Sequence, residues 1–78
     1  MIRVKCFGVA KEIVESDTCE IETDGFSVGD LRIYLANHYQ DFSSIKGFMV
    51  AVNQEYATDE MQITSDDEVA IIPPVSGG

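Results

Sequence analysis

The chain has 78 residues, 45% of them hydrophobic and 24% charged. At that length folding buries only about 60–65% of the surface the unfolded chain exposes, which leaves room for one small core and no second domain. No apolar run approaches the roughly 18 residues of a membrane span, and fourteen acids against five bases, a net charge of −9, repel nucleic-acid phosphates and anionic lipid.

Residues Ile2 to Phe7 alternate apolar and polar, with Ile2, Val4 and Cys6 on one face, and this predicts a first strand. Because Arg3 and Lys5 interrupt the apolar residues, the start does not read as a targeting leader, and a cytoplasmic location is expected. Phe7 falls on the face opposite the core. Lys11 to Ser16 predicts a short helical turn carrying Ile13 and Val14, and Thr18 to Thr23 a second strand in which Cys19 and Ile21 alternate with Glu20 and Glu22. Asp24-Gly25 supplies turn chemistry.

Ser27 followed by Asp30 has the form of a capping box, and Val28, Leu31, Leu35 and His38 or Tyr39 recur at helical spacing. This predicts the one substantial helix. Asp41 to Gly47 is expected as a loop, Phe48 to Val52 as a strand ending in a turn at Asn53, and Tyr56 as the start of a short extended piece. Met61 and Ile63 are expected to plug the core, and Asp66-Asp67 to turn the chain into a last strand, Glu68 to Ile72. The order strand, strand, helix, strand, strand fits an α+β layer with one helix covering a mixed sheet, for which a ubiquitin-like β-grasp is the leading candidate. The domain is expected to span residues 1–72 and an extended tail residues 73–78.

Few side chains in the body carry a chemical signal. Cys6 and Cys19 lack C-x-x-C spacing and His38 is the only histidine, so no metal site is expected. If their strands pair, the two thiols lie close, and a structural role for them outweighs a redox one. Asp59, Glu60, Asp66, Asp67 and Glu68 lack the spacing and glycine of a calcium loop and read as a solvated face. Arg3, Lys5, Lys11 and Arg32 are too few and scattered for a phosphate site. Phe7 and Ile72 share the face opposite the core, and with Tyr56 they form a candidate apolar docking patch.

The tail is different. Pro73 and Pro74 cannot donate to a ladder and hold φ near about −65°, so the chain is expected to leave the sheet extended. Gly77 and Gly78 carry no β-carbon, which suits a terminus threaded into a narrow channel. A carboxylate is a poor electrophile until coupling to AMP gives it a leaving group, after which a sulfur nucleophile can take its place.

The stretch Asp67-Glu68-Val69-Ala70-Ile71-Ile72-Pro73-Pro74-Val75-Ser76-Gly77-Gly78 resembles the ending of the small, sulfur-carrying subunit of molybdopterin synthase, the MoaD family. Val50-Ala51-Val52-Asn53-Gln54-Glu55-Tyr56 resembles that family's internal strand and turn, and Ile2 to Phe7 with Lys11 and Glu12 its start. The likeness is weakest from Tyr39 to Phe48, and Gly8 stands where members commonly have alanine. The resemblance implies a β-grasp fold and adenylation of Gly78 by a ubiquitin-activating-like adenylyltransferase that uses ATP, with no cofactor bound by this chain. It implies sulfur entry from a persulfide donor and a thiocarboxylated tail, slim at Gly77, that enters the large synthase subunit, where the catalytic side chains reside. It further implies sulfur delivery to cyclic pyranopterin monophosphate, a heterotetramer of two large and two small subunits, and partner contacts through Phe7, Tyr56, Ile72, Pro73, Pro74, Val75 and Ser76. A ubiquitin-like protein modifier, a thiamine-pathway sulfur carrier and a β-grasp module with an inert tail remain alternatives.

Overall fold

The computed structural model describes residues 1–44 and 47–73, with residues 43 and 44 described by backbone only. In chain order the elements are β1 (Ile2–Cys6), α1 (Gly8–Val14), β2 (Thr18–Ile21), β3 (Gly25–Ser27), α2 (Val28–His38), a 3-10 turn (Gln40–Ser44), β4 (Met49–Val52), β5 (Glu55–Tyr56), β6 (Gln62–Thr64) and β7 (Val69–Ile72). Five strands form a mixed sheet in the order β2-β1-β7-β4-β5, and β3 pairs with β6 in a separate ribbon. The architecture is the expected α+β mixed sheet under one main helix. None of the described helices is long and apolar enough to cross a membrane.

The period-two pattern of β1 places Ile2, Val4 and Cys6 inward and Arg3 and Lys5 outward. Antiparallel β2 adds Cys19 opposite Val4 and Ile21 opposite Ile2, while parallel β7 sets Val69 against Val4 and Ile71 against Cys6. Antiparallel β4 then contributes Val50 and Val52 to the same face. The helix α2 lays Val28, Leu31 and Leu35 over them, all fully buried, and each such side chain is worth about 1.5–3 kcal/mol. Its start is the capping box read from the sequence: Ser27 Oγ accepts from the Asp30 amide at 3.1 Å, and the Ser27 amide donates to Asp30 Oδ2 at 3.3 Å. Arg32 extends from α2 over the Phe48 ring, 4.5 Å from its centre, and donates to Asp59 at 2.9 Å, pinning the chain ahead of β6 to the helix.

Several boundaries differ from the sequence reading. The first helix begins at Gly8 instead of Lys11 and ends where Glu15 turns left-handed at φ 62°. Gly25 opens β3 and has no positive φ, because the ribbon with β6 takes up the predicted turn. The expected loop at Asp41 to Gly47 contains a 3-10 turn that buries Phe42 between Tyr39 and Phe48, with ring centres 5.9 and 5.7 Å away. Met61 does not plug the core; it is 41% exposed, whereas Ile63 is fully buried. The reason is local: Met61 closes a turn onto Thr58 and gives its carbonyl to the Val28 amide at the head of α2, so the strand alternation starts only at Gln62.

At the far end of the sheet Asn53 and Gln54 form the two-residue hairpin between β4 and β5, with φ of 52° and 70°. Both central residues of this turn type require positive φ. Asn53 is tied down, its amide donating to the Glu68 carbonyl at 2.7 Å and its side chain donating to Asp67 at 2.9 Å. Asp67 also accepts from the Thr64 amide at 2.8 Å, which, with the Asn53 bond, holds its carboxyl below the usual range. Among the described residues no hydrogen bond of this kind ties down Gln54. Replacing Gln54 with Gly is expected to add about 1 kcal/mol and raise Tm by about 4–8 °C in a thermal melt.

Candidate functional site

Lys5 lies opposite Ala70 and Cys6 opposite Ile71 in the parallel β1–β7 pair, so the two central strands run out of the sheet at the same end. At that end β1 continues through the extended Phe7, with φ −127° and ψ 155°, and β7 ends at Ile72 before Pro73. The outward parity of both strands is thereby carried to Phe7 and Ile72. On the same face Ala51 pairs with Ala70 and with Tyr56, and Met49 pairs with Ile72.

The candidate docking residues therefore come together. Phe7, Tyr56 and Ile72 line one hollow of about 350 Å³ with Lys5, Ala51 and Ala70 beneath and beside them. Phe7 is 50% exposed, Tyr56 68% and Met49 42%. The small side chains Ala51 and Ala70 leave the floor shallow, and the larger ones make its walls. Phe7 also borders a second hollow of about 380 Å³, with Cys6, Gly8 and Lys11. Met49 was missed by sequence reasoning because Phe48 to Val52 is apolar on both faces, so no alternation marks which side chains face outward. Pro73 is half-buried at the root of the tail. The remaining residues singled out from the sequence, Pro74, Val75, Ser76, Gly77 and Gly78, lie outside the described residues.

One ion pair, Lys5 with Glu68, lines the hollow of Phe7, Tyr56 and Ile72. The four Lys and Arg side chains of the described residues are each paired with a carboxylate: Arg3 with Glu20, Lys5 with Glu68, Lys11 with Asp17 and Arg32 with Asp59, at 3.1, 3.5, 2.8 and 2.9 Å. Surface pairs of this kind contribute roughly 0–1 kcal/mol each, so their effect here is mainly to leave the excess acids to set the field. His38 stacks on Tyr34 with ring centres 3.9 Å apart and lies on the exposed side of α2, remote in the fold from the outer sheet face.

The two cysteines sit on the opposite, inner face. Both are free and buried. The Cys19 thiol lies 3.7 Å from the Tyr39 hydroxyl. Burial, with the neighbouring Cys19, pushes the Cys6 thiol up to about 11 from an ordinary value of 9.0. The bond to Cys19, reinforced by burial, pushes Tyr39 up to about 12. The Cys6 thiol, so protonated and enclosed, is a poor nucleophile at neutral pH and serves as core material, beside the buried Cys19. The folded chain holds the Cys6 proton more tightly than the unfolded chain does, so its contribution to stability is complete below pH 9.0 and is lost as pH rises towards about 11. Tm measured from pH 8 to 11 is expected to fall, and to fall less steeply for Cys6→Ala.

Comparison with known proteins follows the same lines. The ThiS family matches residues 4–78. The molybdopterin synthase sulfur carrier subunit of Dictyostelium discoideum is 37% identical, with 97% of this chain and 94% of that protein covered. The protein of the same name from Escherichia coli is 33% identical over the full length of both. Among solved structures, SAMP1 of Haloferax volcanii superposes with a TM-score of 0.81 at 26% identity, covering 99% of this chain and 98% of that one. A chain of the protein-protein complex of subunits 1 and 2 of the molybdopterin-converting factor of Helicobacter pylori superposes with a TM-score of 0.67 at 20% identity, covering 99% of this chain and 97% of that one, and shares the fold.

Proposed function

Since this chain belongs to the ThiS family and stands among its molybdopterin synthase sulfur carrier subunits, we propose that it carries sulfur as a thiocarboxylate on Gly78 and delivers it inside the large synthase subunit. The observation that carries the reading is the match running through residue 78 together with relatives above 30% identity along the whole chain.

The chemistry is that of an activated acyl group. An adenylyltransferase couples the Gly78 carboxylate to AMP, releasing pyrophosphate from ATP. A persulfide donor displaces AMP to form an acyl disulfide, and a thiol cleaves the S–S bond to leave the thiocarboxylate. The thiocarboxylate sulfur attacks a carbon of the pterin precursor, cyclic pyranopterin monophosphate, displacing an oxygen substituent there, and water hydrolyses the resulting thioester, leaving the sulfur on the pterin and a carboxylate on Gly78. Two such deliveries build the dithiolene. ATP and the catalytic side chains belong to the partners; this chain contributes a reactive end and a surface that places it.

That surface is the hollow of Phe7, Tyr56 and Ile72, extended by Met49, beside the root of the tail. An exposed apolar patch on so acidic a chain suits a partner with an apolar knob surrounded by basic residues, where charge speeds encounter and the patch holds the complex. Phe7→Ala is expected to weaken binding of the large subunit by about 10-fold or more in a titration while moving Tm by only a few degrees, because the ring is half exposed when the chain is free.

A second reading, conjugation of Gly78 to lysines of other proteins, is favoured by the superposition on the small archaeal modifier SAMP1. One experiment separates them. The chain is incubated with adenylyltransferase, ATP and a persulfide donor, and its intact mass is taken. The sulfur-carrier reading expects a gain of roughly 16 Da from exchange of oxygen for sulfur, lost when Gly78 is deleted and with the melt unchanged by that deletion. Lysine conjugates without that gain support the modifier; a gain that persists without Gly78 overturns both.

A further inference from the structure

The hollow that Phe7, Tyr56 and Ile72 line has one wall that is not apolar. Thr18 of β2, Lys5 of β1, Ala70 of β7, Ala51 of β4 and Tyr56 of β5 stand in one row across the outer face. The two alanines are the floor of a slot, and the strands that carry its walls, Lys5 and Tyr56, are three strand spacings or about 14 Å apart. Lys5 Nζ lies 3.5 Å from Glu68 Oε2, and both side chains line the hollow. The same two residues line a second hollow of about 410 Å³ on the outer face, together with Arg3, Glu20 and Asp67. The ion pair is thus a charged ridge between an apolar basin and a polar one.

Glu68 is placed firmly by its backbone, whose amide donates to Asn53 Oδ1 at 2.9 Å and whose carbonyl accepts from the Asn53 amide at 2.7 Å. Its carboxylate is held less tightly. The contact to Lys5 is longer than the roughly 2.7–2.9 Å of a strong charge-assisted hydrogen bond, and the two side chains are 50% and 48% exposed, so water supplies much of their solvation. A partner that fills the hollow removes that water. An ion pair of such slack geometry does not offset the loss by itself, so a partner that binds well has to bring a charge of its own. The field decides its sign: a net charge of −9 draws in a basic surface, and a base can meet only Glu68 of the two.

We propose that the Lys5–Glu68 pair is the specificity element of the docking face: Glu68 accepts a Lys or Arg side chain of the large synthase subunit, reaching over from the polar hollow, while an apolar side chain of that subunit fills the slot between Lys5 and Tyr56. The inference rests on the sulfur-carrier reading and adds to it the polarity by which the carrier is recognised. This role differs from that of the overall field. All the acids contribute to attraction at a distance, which governs the rate of encounter, whereas a contact at Glu68 depends on which of the two positions carries the negative charge.

The test is a titration of the large subunit, at one ionic strength, with the full chain, with Glu68→Gln and with the exchange variant that combines Lys5→Glu and Glu68→Lys. The exchange keeps the ion pair and the net charge of −9 and inverts only the direction of the pair. Glu68→Gln is expected to bind about 10-fold more weakly and the exchange variant at least about 30-fold more weakly, with all three melting within a few degrees because an exposed pair contributes little to folding. An exchange variant that binds within about threefold of the parent overturns the inference. Parent affinity in Glu68→Gln overturns it whatever the exchange variant does, since the contact then belongs to Lys5 and an acidic partner. Self-association of the free parent in sedimentation, abolished by the exchange, also overturns it by assigning the pair to a second copy of this chain. A parent that does not bind the large subunit overturns the sulfur-carrier reading and this inference together, whereas a parent and an exchange variant that bind equally overturn this inference alone.

Discussion

The pairing of the first strand with the last is the constraint on which the rest of this structure depends. β1 and β7 are parallel, so they cannot be joined by a tight turn, and the whole intervening chain has to cross from one to the other. That crossing carries α2 over the inner face and leaves the outer face uncovered. Val4, Cys6, Val69 and Ile71 meet the helix and are buried, while Lys5, Ala70 and Ile72 face outward. Because the strands are parallel, they also finish side by side. Phe7, Gly8, Ile72 and Pro73 are neighbours for that reason alone, and the apolar hollow and the root of the tail are consequences of one register.

The two faces of the sheet differ in what they present. The outer face offers shape and apolar area in a negative field. The inner face encloses both cysteine thiols, and Cys6 is held protonated well above neutral pH. The small ribbon of β3 and β6 serves the helix, since Val28 and Gly29 donate their amides to the carbonyls of Met61 and Asp59 just ahead of β6, satisfying donors that a helix start leaves open.

Much of this was legible in the sequence where a signal is local. The alternation in Ile2 to Cys6 and in Val69 to Ile72, the Ser27 to Asp30 capping box, and the spacing of Val28, Leu31 and Leu35 each depend on residues within a turn or two of one another. Met61 was misplaced and the burial of Phe42 went unread because neither is governed by a periodic element. Phe42 is buried by the rings of Tyr39 and Phe48, and Met61 is exposed because its carbonyl is committed to the head of α2.

The sequence by itself determined the fold class, the outward parity of Phe7 and Ile72, and the chemical character of the ending, because all three follow from side-chain type and short-range order. Only the tertiary structure decided that Met49 joins those residues through its pairing with Ile72, that Tyr56 closes the same hollow across Ala51, and that Gly8 lies beside Pro73. These are contacts between segments distant along the chain. They are fixed by strand register, and a register is a property of two strands together that neither strand's sequence contains alone.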